Sequence, residues 1–138
     1  MPIHYFTENV ENPIQDEEKL SNWIISTITS ESCQHGDINY IFCNDSHLLE
    51  INKEHLEHNY FTDIITFNLS DNKNIISGDL FISVDRVASN ALELNISSET
   101  ELKRVILHGI LHLIGYNDKT ESEKREIRKK EDFYLEKY

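Results

Sequence analysis

The sequence predicts a single α+β domain over residues 1–138, a mixed four-stranded sheet packed by helices in the order β-α-β-α-β-β-α-α-α. Three observations lead there. Strand-like runs rich in aromatic and β-branched residues alternate with 3.6-periodic runs through the first half of the chain. Two such strand-like runs are joined by the turn cluster Asp71-Asn72-Lys73-Asn74, which makes a hairpin. The remainder then holds three successive helical stretches with no strand between them. A chain of 138 residues is long enough to bury a normal core without a second domain.

Taken in order, residues 2–7 alternate around Ile3, Tyr5 and Phe6 and read as a short strand. Asp16 caps a helix of about residues 17–30, with Leu20, Trp23, Ile24 and Ile28 as its apolar stripe. Gly36 punctuates a second strand, Ile38 to Cys43. Asn44 or Asp45 starts a helix reaching about residue 56, its core face formed by Leu48, Leu49 and Ile51. Residues 57–61 form a loop, and residues 62–67 the third strand. The fourth runs from Ile75 to Val84, and a helix follows from about Asp85 to Leu94. Ser98 with Glu101, and Thr120 with Glu123, have the spacing of capping boxes and open the last two helices.

Composition sets limits on function. The start, Met-Pro-Ile-His-Tyr-Phe-Thr-Glu, has neither the basic residues nor the apolar core of a signal peptide. The longest apolar run is far too short to span a bilayer. Cys33 and Cys43 have no metal or redox spacing, so a cytoplasmic protein with free thiols is expected. A net charge of -12 speaks against broad, sequence-independent nucleic-acid binding, and no DNA partner is expected. The charge is uneven, however. Residues 119–138 hold 7 basic and 6 acidic residues, a balance of +1, so residues 1–118 carry -13.

The stretch that carries chemistry is His108-Gly-Ile-Leu-His112-Leu-Ile-Gly115-Tyr-Asn-Asp118. Histidines four apart on a helix lie one turn above each other on one face and reach a single ion. Gly115 ends the helix, and Asp118 follows the turn as a third ligand or as an ordinary turn aspartate. Val105, Ile106, Leu107, Ile110, Leu111, Leu113 and Ile114 make the helix apolar nearly all round. Two imidazoles buried there need partners, since an unpaired buried polar group costs about 1–3 kcal/mol. A divalent metal satisfies both; the plainer alternative is two core histidines. Two imidazoles and a carboxylate suit Zn²⁺, with Fe²⁺ or another divalent ion also compatible. The spacing matches a metzincin protease too, but Gly109 stands where that mechanism needs a glutamate base.

These residues resemble the signature H-G-x-L-H-L-x-G-Y-D-H of the YbeY-type family. Its members are bacterial rRNA maturation factors described as metal-dependent single-strand endoribonucleases. His108, Gly109, Leu111, His112, Leu113, Gly115 and Tyr116 are shared; Asn117 and Asp118 depart, the latter from the family's third metal-binding His. Thr62-Asp63-Ile64-Ile65-Thr66-Phe67 is similar to the family's T-D-V-L-S-F, and Gly78-Asp79-Leu80-Phe-Ile82-Ser83 to its G-D-I-x-I-S. The resemblance runs from about residue 37 to the C-terminus and implies a single metal-dependent hydrolase domain. It also implies one Zn²⁺ held by His108, His112 and Asp118, with Asp63 and Asp79 supporting the site.

The family typically has L-N-x-x-Y-R upstream of that strand, the Arg being its proposed catalytic cation. Here Ile51-Asn52 aligns with L-N, His55 with Tyr and Leu56 with Arg. His55 or His58, if protonated, is the candidate replacement. Arg104, one turn before His108, either contacts substrate phosphate or pairs with Glu101. The final helix, with Lys124, Arg125, Arg128, Lys129 and Lys130, is a solvated face or an RNA contact.

The resemblance implies cleavage of single-stranded rRNA during maturation, with the small ribosomal subunit and assembly factors as partners and no membrane. The alternative is a non-catalytic ribosome-assembly binding factor with a degenerate metal site; a metalloprotease is a distant third.

Overall fold

A computed structural model describes residues 3–56 and 61–138. Its elements are β1 (Ile3–Thr7), α1 (Glu17–Ser30), β2 (Gln34–Cys43), α2 (Asp45–Leu56), β3 (Ile64–Asn68), β4 (Ile75–Ser83), α3 (Val84–Leu94), α4 (Ser98–Ile114) and α5 (Glu121–Leu135). The sheet order is β1-β2-β4-β3. β1 and β4 run parallel to β2, and β3 closes the edge antiparallel to β4. The sheet is therefore mixed, as expected: helical crossovers give the parallel pairs and the hairpin gives the antiparallel one.

Local chemistry accounts for most of the boundaries. Asp16 Oδ1 accepts from the Lys19 amide at 3.0 Å and caps α1. Thr120 accepts from the Glu123 amide while the Glu123 carboxylate reaches back to the Thr120 amide, so the second capping box forms. The first does not form as expected. Ser97, not Ser98, caps α4, its hydroxyl accepting from the Thr100 amide at 3.1 Å. β2 begins at Gln34 rather than Ile38, because Gln34 and His35 pair with Ile75 and Ile76 before an irregularity at Gly36 and Asp37.

Strand alternation splits the core between two faces. Ile38, Tyr40 and Phe42 of β2 and Ile76, Leu80 and Ile82 of β4 join the larger cluster, with Leu20, Trp23 and Ile24 of α1 and the apolar body of α4. Cys43, Ile65 and Leu48 make a smaller one, against which Ile51, Phe67 and Phe81 pack. On α2 the buried residues are Leu48 and Asn52; Leu49, expected in the core, is half-buried.

α4 packs against α1, α3, α5, β3 and β4. Gly109 is what lets it approach the sheet: a Cβ there would lie 2.5 Å from Leu80 Cδ2 and 2.6 Å from Ile64 Cδ1. With position 109 pressed on the sheet, His108 and His112 line a cleft at its edge. α4 stops at Gly115, whose φ of 128° suits glycine. The amides of Gly115 and Tyr116 both return to Leu111 O, at 3.1 and 3.0 Å.

Candidate metal centre

The two histidines of α4 and the aspartate three residues past its end converge. His108 Nε2 and His112 Nε2 are 2.9 Å apart, and Asp118 Oδ2 lies 3.3 Å from each. Ligands held about 2.0–2.1 Å from zinc in tetrahedral array stand roughly 3.3 Å from one another, so these three atoms form one face of such a site. The imidazoles are half-buried and Asp118 is the more exposed. All three residues line the cleft. The donor set fits one divalent ion.

The protein also fixes which nitrogen of His108 looks inward. Its Nδ1 donates to Glu131 Oε2 of α5 at 2.6 Å, which leaves the Nε2 lone pair directed at the other two ligands. Burial alone would lower the His108 pKa; the hydrogen bond and charge of Glu131, with Asp118 and Asp63, outweigh it and raise the pKa above that of an ordinary imidazole. Glu131 is itself buried, and its other oxygen accepts from Arg104 Nη1 at 3.2 Å. Arg104 also lies 3.5 Å from Glu101 Oε1, an ion pair without hydrogen-bond alignment, and 3.6 Å from Asp132. Of the two expectations for Arg104, pairing with acids is the one seen.

Glu131 was not among the sequence candidates. One signal marks it: Ile127, Glu131 and Tyr134 share the buried stripe of α5, where a carboxylate has no place without a partner.

A brace on the far side holds the loop that carries Asp118. Tyr116 Oη donates to Glu31 Oε1 at 2.6 Å, while Lys130 Nζ (3.1 Å) and the Tyr134 hydroxyl donate to Glu31 Oε2. Burial would raise the Glu31 pKa, but these three donors hold it below the ordinary range.

The other expected residues are placed as follows. Asp63 lines the cleft on both sides of His108 and accepts from Asn90 Nδ2 at 3.3 Å; burial raises its pKa, partly offset by His108. Asp79 accepts from Asn39 Nδ2 at 3.0 Å across the β2–β4 ladder. His55 is exposed, with its ring 5.9 Å from that of Phe67, and it is Leu56 that lines the cleft. His58 lies outside the described residues. Both cysteines are free, and burial pushes the Cys43 thiol up to about 11. Among the described residues no helix is long and apolar enough to cross a membrane. The protease geometry is closed off by packing, since a side chain at position 109 would run into the sheet rather than the cleft.

The profile of a family described as Endoribonuclease YbeY matches residues 4–138. A Flavobacterium johnsoniae protein named Endoribonuclease YbeY is 46% identical over 127 residues, covering 92% of this chain and 91% of its own. A Cytophaga hutchinsonii protein of the same name is 43% identical over 133 residues, covering 96% and 93%. A Thermotoga maritima protein known as a solution structure aligns with a TM-score of 0.71 at 27% identity, covering 97% of this chain and 87% of that one.

Proposed function

The chain belongs to the Endoribonuclease YbeY family, and from that premise we propose that it is a metal-dependent endoribonuclease cutting single-stranded rRNA during ribosome maturation in the cytoplasm. The whole chain is then one hydrolase domain. The observation that carries the metal dependence is the convergence of His108 Nε2, His112 Nε2 and Asp118 Oδ2, with Glu131 behind His108. We assign one Zn²⁺ to this site, Fe²⁺ being the next choice for a two-His, one-carboxylate set. When bound, such an ion supplies Lewis acidity toward a phosphate oxygen and a means to lower the pKa of water toward neutrality.

The chain's own residues do the rest. Glu131 keeps the proton of His108 on Nδ1, away from the cleft. Asp63, beside His108, adds to the negative field that favours a cation there. Gly109 and Gly115 fix the depth and end of the helix that presents the ligands. Asp79, which accepts from Asn39 across the β2–β4 ladder, is kept as a support of the sheet rather than of a ligand. His55 and His58 are carried forward as candidate sources of positive charge in place of the family's Arg.

The test is cleavage of an unstructured single-stranded rRNA fragment by the purified protein, with and without chelator, beside His112→Ala and His58→Ala. Cleavage abolished by chelator and by His112→Ala supports the reading, and a slower His58→Ala supports that assignment. One observation favours a second reading: among the described residues, Leu56 and no lysine or arginine lines the α2 side of the cleft. If the loaded protein binds small-subunit precursors and cleaves nothing, it is a binding factor in assembly, and the nuclease reading falls.

A further inference from the structure

The ligand triad sits between two cavities of similar size and opposite character. The one toward α2, about 350 Å³, has Asn52, Leu56, Thr62 and Thr66 on its walls and no lysine or arginine among the described lining residues. The one toward α5, about 360 Å³, is lined by Arg104, Lys124 and Arg128 as well as by His108 and Asp118. Lys124 and Arg128 are spaced i,i+4, so both lie on the face of α5 turned to this cavity.

The three cations are not equivalent. Arg104 is engaged by Glu101, Glu131 and Asp132 and is mostly buried. Arg128 has one carboxylate within 3.6 Å and Lys124 one at 3.8 Å, and both side chains are more than half exposed. Lys130, on another face of the same helix, is committed to Glu31. Counting formal charge around the α5-side cavity, Asp63, Glu101, Asp118 and Glu131 oppose Arg104, Lys124 and Arg128, a balance of -1 that a divalent ion turns to +1. A bound divalent ion therefore makes the cavity more favourable to an anion.

We propose that Lys124 and Arg128 form the phosphate-binding subsite next to the metal centre, holding the backbone of single-stranded RNA along α5. The inference rests on the proposed nuclease reading for its ligand. It gives the basic final helix a role that its overall balance conceals, because only the Lys124–Arg128 edge faces the site.

The experiment is equilibrium binding of a short unstructured single-stranded RNA to the zinc-loaded protein across a series of salt concentrations, with cleavage of the same RNA read in parallel. Each phosphate contact contributes about 0.7 to the slope of log affinity against log salt for single strands. Lys124→Gln and Arg128→Gln are each expected to lower the slope by about 0.7. Carried from 1 M to 0.1 M salt, that amounts to about a fivefold loss of affinity. Lys129→Gln, an exposed change on the same helix outside the cavity, is expected to bind as the parent does.

Because Arg128 lies near Glu131, zinc content is measured in every variant. Lys124→Gln with full zinc and a reduced slope supports the subsite. Slopes unchanged in both variants, or lowered equally by Lys129→Gln, overturn it. RNA binding by the loaded parent with reduced slopes in Lys124→Gln and Arg128→Gln, but without cleavage, leaves the subsite standing and sinks only the nuclease reading; no RNA binding by the loaded parent sinks the subsite.

Discussion

Replacing Glu131 tests the metal centre from behind. Its carboxylate is 2.6 Å from His108 Nδ1 and 3.2 Å from Arg104, and only 5% of the side chain is exposed. In Glu131→Gln the amide oxygen can still accept from Nδ1, but the charge is lost and the NH₂ group is turned on Arg104. Removing a carboxylate behind a metal-ligating histidine costs about 10–100-fold in metal affinity, roughly 1.4–2.7 kcal/mol. The glutamine keeps the hydrogen bond, so its loss belongs near tenfold; Glu131→Ala, which keeps nothing, belongs near a hundredfold. Folding stability also falls, since a buried arginine loses a partner. Glu101 at 3.5 Å and Asp132 at 3.6 Å remain to Arg104, which places the cost below the about 3–5 kcal/mol of a fully orphaned buried charge. The assay is competition for zinc against a chromophoric chelator at neutral pH, with urea unfolding of the metal-free proteins alongside. Zinc affinity within twofold of the parent in both variants would refute the idea that Glu131 orients and charges His108.

Other consequences are open to direct measurement. Gly78→Ala should destabilise by about 1–3 kcal/mol in urea unfolding, because its Cβ would lie 2.5 Å from the Phe67 backbone oxygen. Gly109→Ala, which meets side chains alone (the ends of Leu80 and Ile64, and Thr66 Cγ2 at 3.3 Å) and no backbone, should cost less than Gly78→Ala; the reverse order would contradict the packing described. Asp118→Ala should release zinc to a competing chelator while shifting the stability of the metal-free protein by no more than about 0.5 kcal/mol, since its side chain is 42% exposed. Glu31 has a folded-state pKa below its unfolded one, so its contribution to stability is present above the unfolded value, about 4.3, and is lost as pH falls through the folded value. The melting temperature of Glu31→Gln should therefore trail the parent at pH 7 and approach it in acid; a constant gap would count against the Tyr116–Tyr134–Lys130 cage.

The sequence exposed features whose causes are local. Asp16 and Thr120 cap the helices they were expected to cap, and Leu20, Trp23, Ile24 and Ile28 face the core at the spacing that marked them. The His108–His112 pair was equally plain, being a matter of helical pitch. What escaped depends on distant partners. β2 extends to Gln34 because Ile75 and Ile76 lie alongside, which no window around residue 34 contains. Ser97 and Ser98 offer the same hydroxyl one residue apart, and the α3–α4 connection selects the first. Glu131 lies 23 positions from His108 and meets it only because α5 packs back across α4. Counting along the chain also placed Leu56 where the family has its Arg, and Leu56 does line the cleft, while His55, one residue before it, is exposed with its ring 5.9 Å from that of Phe67.

The cage around Glu31 ties the reach of the centre to the other end of the chain. The three candidate ligands span residues 108 to 118, a segment short enough to copy as a peptide. Yet the loop bearing Asp118 is moored through Tyr116 to the end of α1, some 85 positions earlier, and through the same carboxylate to Tyr134 and Lys130 of α5. A peptide of the His–His–Asp stretch would carry every ligand and none of the moorings. Grafting the motif onto another scaffold would likewise transplant the donors without the anchorage that sets the third one in place. As an engineering unit, the centre is the whole domain.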